Sequence, residues 1–181
     1  MQGPQPQRRA LLIVDMQVGL FNSPETPHHG AQVLANINEL IGKARRVGAP
    51  ILAARHTGPL GSPIEPGSPL TQLLPDLAID AMADTVFDKR RPNCFLGTEL
   101  ADALRAASVD ELVIVGMKTE YCIDATCRAA ADLGFQPVLV ADAHTSMDTP
   151  VLSAQRIIDH HNRTLNGPFV RLVSTAECEF Q

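Results

Sequence analysis

The sequence predicts an α/β fold: a single doubly wound domain with a parallel sheet of about six strands and helices on both faces. Continuous apolar runs, ALLIV at 10–14 and LVIV at 112–115, read as strands buried on both sides. Between such runs lie segments whose apolar residues recur at helical spacing, joined by short connections, as right-handed crossovers require. A length of 181 residues, 45% of them hydrophobic, is enough for one core.

Residues 1–9 are polar and carry two prolines, so they are expected to be disordered ahead of a domain spanning 10–181. The first strand is Ala10 to Val14, ended by Asp15. A helix is expected from Ala31 to Val47, with Val33, Leu34, Ile37, Leu40, Ile41 and Ala44 on one face, cations in its last turn and Gly48 as its stop. Pro50 to Ala54 is the second strand; the stretch from His56 to Pro69 is too broken by proline and glycine for regular structure and reads as a functional loop. Thr85 to Phe87 is a short strand leading into Asp88, Lys89, Arg90 and Arg91. Gly97 to Ala107 is helical, and Leu112 to Val115 is the next strand. Thr119 to Leu133, rich in small residues and ended by Gly134, is a helix packed closely on the sheet. Pro137 to Ala141, Val151 to Leu165 and Phe169 to Val173 complete the series as strand, helix and strand.

A net charge of −5 argues against nucleic acid as a partner. No run approaches membrane-spanning length and no secretory leader is recognisable, so a cytoplasmic location is expected. Cys94, Cys122, Cys127 and Cys178 show no C-x-x-C spacing and are expected as reduced thiols. Neither a G-x-G-x-x-G turn nor a phosphate-cradling loop is present, which disfavours a nucleotide-binding domain without catalysis.

In doubly wound sheets chemistry gathers at the carboxyl ends of the strands, near the switch point. Asp15, Lys89 and Cys122 all follow strands and are expected on that rim. With Thr119 as helix N-cap, Cys122 falls at about the third helical position, where the dipole favours a thiolate. Lys89 would push the same way, and Asp15 could take the thiol proton. Each residue alone has an ordinary explanation, as helix packing, turn former or solvated charge; one rim shared by all three outweighs those explanations.

The same residues carry a resemblance. LLIVDMQ at 11–17, the Lys89 segment and GMKTEYCIDATCRAA at 116–130 resemble the signature blocks of the isochorismatase-like cysteine hydrolases, including nicotinamidase-related amidohydrolases. ADAHTS at 141–146 and AQRIIDHHNRTL at 154–165 are similar to segments of that family's bacterial members. The resemblance implies an isochorismatase-like fold, Cys122 as nucleophile, Asp15 as proton shuttle and Lys89 holding both. It further implies a cis Met117–Lys118 bond, with the Lys118 and Cys122 backbone amides as oxyanion hole. It implies a small-molecule amide substrate, a thioester acyl-enzyme and a homo-oligomer, dimer or higher. Gln17, Leu20, Phe21, His56 and Tyr121 are candidate substrate contacts, with Arg90, Arg91 and Asn93 near Lys89; Arg55 or Arg91 could hold a carboxylate, though neither is favoured. Nicotinamidases place a metal-binding Asp-x-His after the second strand; here Arg55, His56 and Thr57 stand there, so no metal and no cofactor are expected. His144, His160 and His161 are expected to satisfy hydrogen bonds or line an interface, to which the helix at 151–165 could contribute. Retention of Cys122 argues against the vinyl-ether hydrolysis of true isochorismatases, the main alternative reading.

Overall fold

The computed structural model describes residues 8–180. The elements run β1 (Arg9–Val14), α1 (Val18–Phe21), α2 (Gly30–Arg46), β2 (Ile51–His56), β3 (Thr85–Lys89), α3 (Leu100–Ala106), β4 (Glu111–Met117), α4 (Asp124–Asp132), β5 (Gln136–Thr145), α5 (Ala154–Leu165) and β6 (Arg171–Val173). Six strands pair in parallel in the order β3-β2-β1-β4-β5-β6. Strand order reverses between β1 and β4, as the doubly wound reading requires.

Alternation along the strands sorts the core into two layers. Leu11, Ile13, Val113, Val115, Val138 and Val140 face α2, whose Val33, Ile37, Leu40, Ile41 and Ala44 form the buried stripe expected from their spacing. Ala10, Leu12, Val14, Leu112, Ile114 and Leu139 face the other way, against Leu100 and Leu104 of α3 and Cys127 and Ala130 of α4. α2 stops at Val47 because Gly48, at a φ of 68°, turns the chain where a side chain would be strained.

Several boundaries move. Of the segment expected to be disordered, residues 1–7 lie outside the described residues, while Arg9 already belongs to β1 and is ion-paired with Glu111. α1 is too short for periodicity to reveal, and a 3₁₀ turn at Pro69–Thr71, capped by the Ser68 hydroxyl, closes the end of the expected loop. β3 extends through Lys89, which pairs with His56 of β2. β5 runs to Thr145: as β4 advances from Ile114 to Gly116, β5 advances from Leu139 to His144, so a bulge carries it past Ala141 back into register. The helix expected from Thr119 is two pieces, a π-helical turn at Thr119–Ile123 followed by α4. Among the described residues no helix is long and apolar enough to cross a membrane.

Candidate active site

β1 and β4 deliver their carboxyl ends side by side at the switch point. Val14 pairs with Gly116, whose φ of 118° places a hypothetical Cβ 2.1 Å from the Val14 carbonyl oxygen. Only glycine lets the two strands approach this closely. Asp15 follows at once, fully buried, with a left-handed φ of 53° that aspartate tolerates better than most residues. Its N–H is fixed by the Ala54 carbonyl at 3.0 Å and its own carbonyl accepts the Gln17 N–H at 2.8 Å.

Past β4 the chain makes the π-helical turn, in which the Tyr121 and Ile123 N–H groups both donate to the Lys118 carbonyl at 3.2 Å. Cys122 is the fourth residue of this turn. The expected N-cap at Thr119 is corrected: Lys118 precedes the turn without a side-chain cap, and the Thr119 hydroxyl is committed to His144 Nδ1 at 2.8 Å. Met117–Lys118 is cis, as the resemblance implied.

Lys89 approaches from the sheet edge. As the last residue of β3 it must reach across β2 to β1, about 10 Å at the usual strand spacing, which a lysine stem and the opposing side chains cover together. Its Nζ donates to Asp15 Oδ2 at 2.8 Å, to the Arg91 carbonyl at 3.2 Å and to Cys122 Sγ at 3.3 Å, and lies 3.1 Å from His56 Nδ1. The side chains of Lys89 and Asp15 are fully removed from solvent. Asp15 Oδ1, equally buried, makes no well-formed hydrogen bond among the described residues, and the neighbouring Cys122 thiol is the group placed to interact with this carboxylate.

Burial and the surrounding charges set the protonation states. Burial disfavours the Lys89 ammonium, but the Asp15 charge and hydrogen bond oppose it, so the amine is held above its ordinary pKa and stays charged. Burial pushes the Asp15 carboxyl up against the pull of Lys89, which makes it a stronger base than a free aspartate. Burial likewise pushes the Cys122 thiol up, with the Asp15 charge adding to it. This corrects the expectation of a readily ionised thiol: in a closed site desolvation exceeds the help from Lys89, and the resting cysteine keeps its proton. His56 is lowered by burial and by Lys89, so its ring is neutral and accepts from the ammonium.

Other expected contacts lie around this centre with different employments. Gln17 is buried and fully engaged, its amide donating to the carbonyls of His56 and Thr71 at 3.1 Å and accepting the His56 N–H at 2.7 Å. Leu20 and Phe21 of α1 pack against the α2 layer, whereas Tyr121 is 57% exposed on the turn beside Cys122. Arg55 is paired with Asp88 at 2.8 Å. Arg90 and Arg91 line a cleft of about 520 Å³ next to Lys89, with Thr57, Pro66 and Leu96. The Asn93 side chain accepts the Phe95 N–H at 2.8 Å. The Arg91 carbonyl as a lysine acceptor was not legible in the sequence, because a main-chain group leaves no trace in residue identity.

Among the described residues, one group has metal-ligand character: Asp15, His56 and Cys122, with ligand atoms within 4.8 Å of one another. It does not fit a metal ion. The Lys89 Nζ already stands within 3.3 Å of all three residues, so a divalent ion at ordinary ligand distances of about 2.0–2.3 Å would meet an ammonium. Arg55 and Thr57, where the Asp-x-His ligands of nicotinamidases would fall, are tied into the β2–β3 edge, Thr57 donating its N–H to the Lys89 carbonyl at 2.8 Å.

Comparison with known proteins adds four likenesses. A family model described as the Isochorismatase domain matches residues 9–175. Streptothricin hydrolase of Streptomyces noursei is 34% identical over 143 residues, covering 78% of this chain; the chain spans about half of that protein, 51% of its length. Among solved structures, an isochorismatase family protein is 32% identical with a TM-score of 0.86, covering 92% of this chain and 98% of that one. The pyrazinamidase of Pyrococcus horikoshii, determined in complex with zinc, is 25% identical with a TM-score of 0.76, covering 92% and 99%.

Proposed function

Because the chain belongs to the isochorismatase family of hydrolases, we propose that it cleaves a carbon–nitrogen bond of a small amide through a thioester on Cys122, with Asp15 and Lys89 as its catalytic partners. The observation that carries this reading is the Lys89 ammonium bridging Asp15 Oδ2 and Cys122 Sγ, with Asp15 Oδ1 left over for the thiol proton.

The reaction follows from those protonation states. As Sγ attacks the amide carbon, the thiol proton passes to Asp15, so that a thiolate need exist only as the bond forms. Charge grows on the carbonyl oxygen, which is assigned to the backbone N–H groups of Lys118 and Cys122. Asp15 then returns the proton to the departing nitrogen, the C–N bond breaks, and ammonia or an amine leaves an acyl group on sulfur. Water attacks the thioester, giving its proton to Asp15, and the thiol is restored as the carboxylic acid departs. Lys89 stays protonated throughout, holding Asp15 anionic between the proton transfers and stabilising negative charge on sulfur. No step needs a metal. Streptothricin hydrolase is named for the hydrolysis of its substrate, which agrees with the reaction class; the substrate of this chain is a separate matter.

Release of ammonia or amine from a panel of small carboxamides, lactams and ureides, measured for wild type and for a folded Cys122→Ala protein, tests the proposal. Turnover by wild type alone is the expected result. Equal turnover by both would remove Cys122 from the chemistry, leaving Asp15 and Lys89 to act on another bond such as a vinyl ether; silence from wild type across the panel would count against the amide class.

A further inference from the structure

Two segments singled out in the sequence, ADAHTS and AQRIIDHHNRTL, contribute nothing to the reaction described above, yet they meet behind the cysteine turn. His144 is 1% exposed. Its Nδ1 lies 2.8 Å from the Thr119 hydroxyl and its Nε2 lies 2.8 Å from Asn162 Oδ1 of α5. The β5 bulge seats it here by setting His144 opposite Gly116, the glycine at which β4 touches β1. Thr119 is fully buried and opens the π-helical turn whose fourth residue is Cys122. The next residue of the turn is held from just past the end of that strand, since the Ser146 hydroxyl donates to Glu120 Oε2 at 2.5 Å.

We propose that His144 is a positioning residue for the nucleophile: a neutral imidazole, locked in one tautomer by Asn162, that clamps Thr119 and thereby fixes the turn carrying Cys122. The inference rests on the thioester reading, because only a nucleophile gains from such fixing. The tautomer follows from the acceptors present. Asn162 offers its carbonyl oxygen, so Nε2 carries the hydrogen, and Nδ1 accepts from the Thr119 hydroxyl. Burial pushes the His144 pKa down to about 4, so the arrangement persists at neutral pH. A turn with an extra residue per cycle is wider and less well bonded than an α-helical turn, and it needs such external support. Asn162, half-buried on the helix expected to contribute to an interface, gives its side-chain carbonyl to His144, so the two sequence segments share a physical task.

The test needs no knowledge of the natural substrate. p-Nitrophenyl acetate should acylate Cys122: sulfur bonds to the acetyl carbon, the thiol proton goes to Asp15 and p-nitrophenolate leaves, with the acetyl-Cys122 peptide identified by mass. His144→Leu and Thr119→Val are each expected to slow acylation by about tenfold to a hundredfold, the range in which misplacement by about an ångström falls, in protein that circular dichroism shows to be folded at the assay temperature. The double variant should be no slower than either single one, because one link has been cut twice. His144→Asn, which keeps an acceptor near the Nδ1 position, should recover most of the rate. Should His144→Leu fail to fold, Thr119→Val and His144→Asn still carry the comparison. Acylation at the wild-type rate in Thr119→Val, or additive losses in the double variant, would overturn the positioning role. A wild type that is never acylated at Cys122 would overturn the thioester reading and this inference with it.

Discussion

A lysine removed from water must satisfy three N–H groups and a charge, and Lys89 does so by collecting Asp15, His56, the Arg91 carbonyl and Cys122 within 3.3 Å. Lys89→Met keeps the length of the side chain and removes the charge, which leaves Asp15 buried without a cation. Asp15 is already pushed up by burial, with Lys89 the main influence opposing it, so the variant's carboxyl rises further and takes a proton. An acid whose folded pKa lies above its unfolded value binds more protons when folded, so its contribution to stability is lost as pH rises through the folded pKa. Lys89→Met is therefore expected to be about 3 kcal/mol less stable than wild type at pH 7, with a smaller deficit at pH 5, in urea unfolding. A deficit that does not change with pH would show that Asp15 does not depend on the lysine. The same ammonium stands where a metal would have to bind, so exhaustive dialysis against a chelator should leave hydrolysis unchanged. Loss of turnover that zinc restores would contradict this.

The elements matter because they set where these residues stop. β1 ends at Asp15 and β4 ends at the cysteine turn, and they can lie together because Gly116 permits a contact that any side chain would block. Gly116→Ala combines a clash with backbone and a positive φ, and is expected to cost more than about 3 kcal/mol in denaturant unfolding or to abolish folding. A loss below about 1 kcal/mol would mean that the strands can part there without consequence. Element boundaries were less legible in the sequence than element identities. ALLIV and LVIV announced buried strands, and the spacing of Val33, Ile37, Leu40 and Ala44 announced α2. The β5 bulge leaves no local pattern, so the sequence does not place His144 and Thr145 in the strand beside the end of β4. The π-helical turn was read as a plain helix because its apolar pattern differs from an α-helix by a single residue.

At the scale of the whole molecule, the doubly wound order explains why residues 15, 89 and 122 converge although two intervals in the chain separate them: the strand order brings β1 and β4 together, and the long side chain of Lys89 spans the remaining strand. That convergence could be read from the sequence, since strand ends and reactive residue types are both written in residue identity. The protonation states could not be read in the same way. A helix-start position suggests a thiolate, and only the closed geometry reveals that burial and the Asp15 charge push the thiol up against the pull of Lys89. Cys122 is thus expected to ionise as it attacks and to hold the acyl group only between two steps. The most direct measurement is an acid quench of wild type during turnover of an amide it hydrolyses, followed by mass analysis of the peptide containing Cys122. The expected result is the acyl mass on Cys122, and neither adduct nor turnover in Cys122→Ala; sustained turnover in Cys122→Ala, with no acyl mass on wild-type Cys122, would contradict a thioester mechanism.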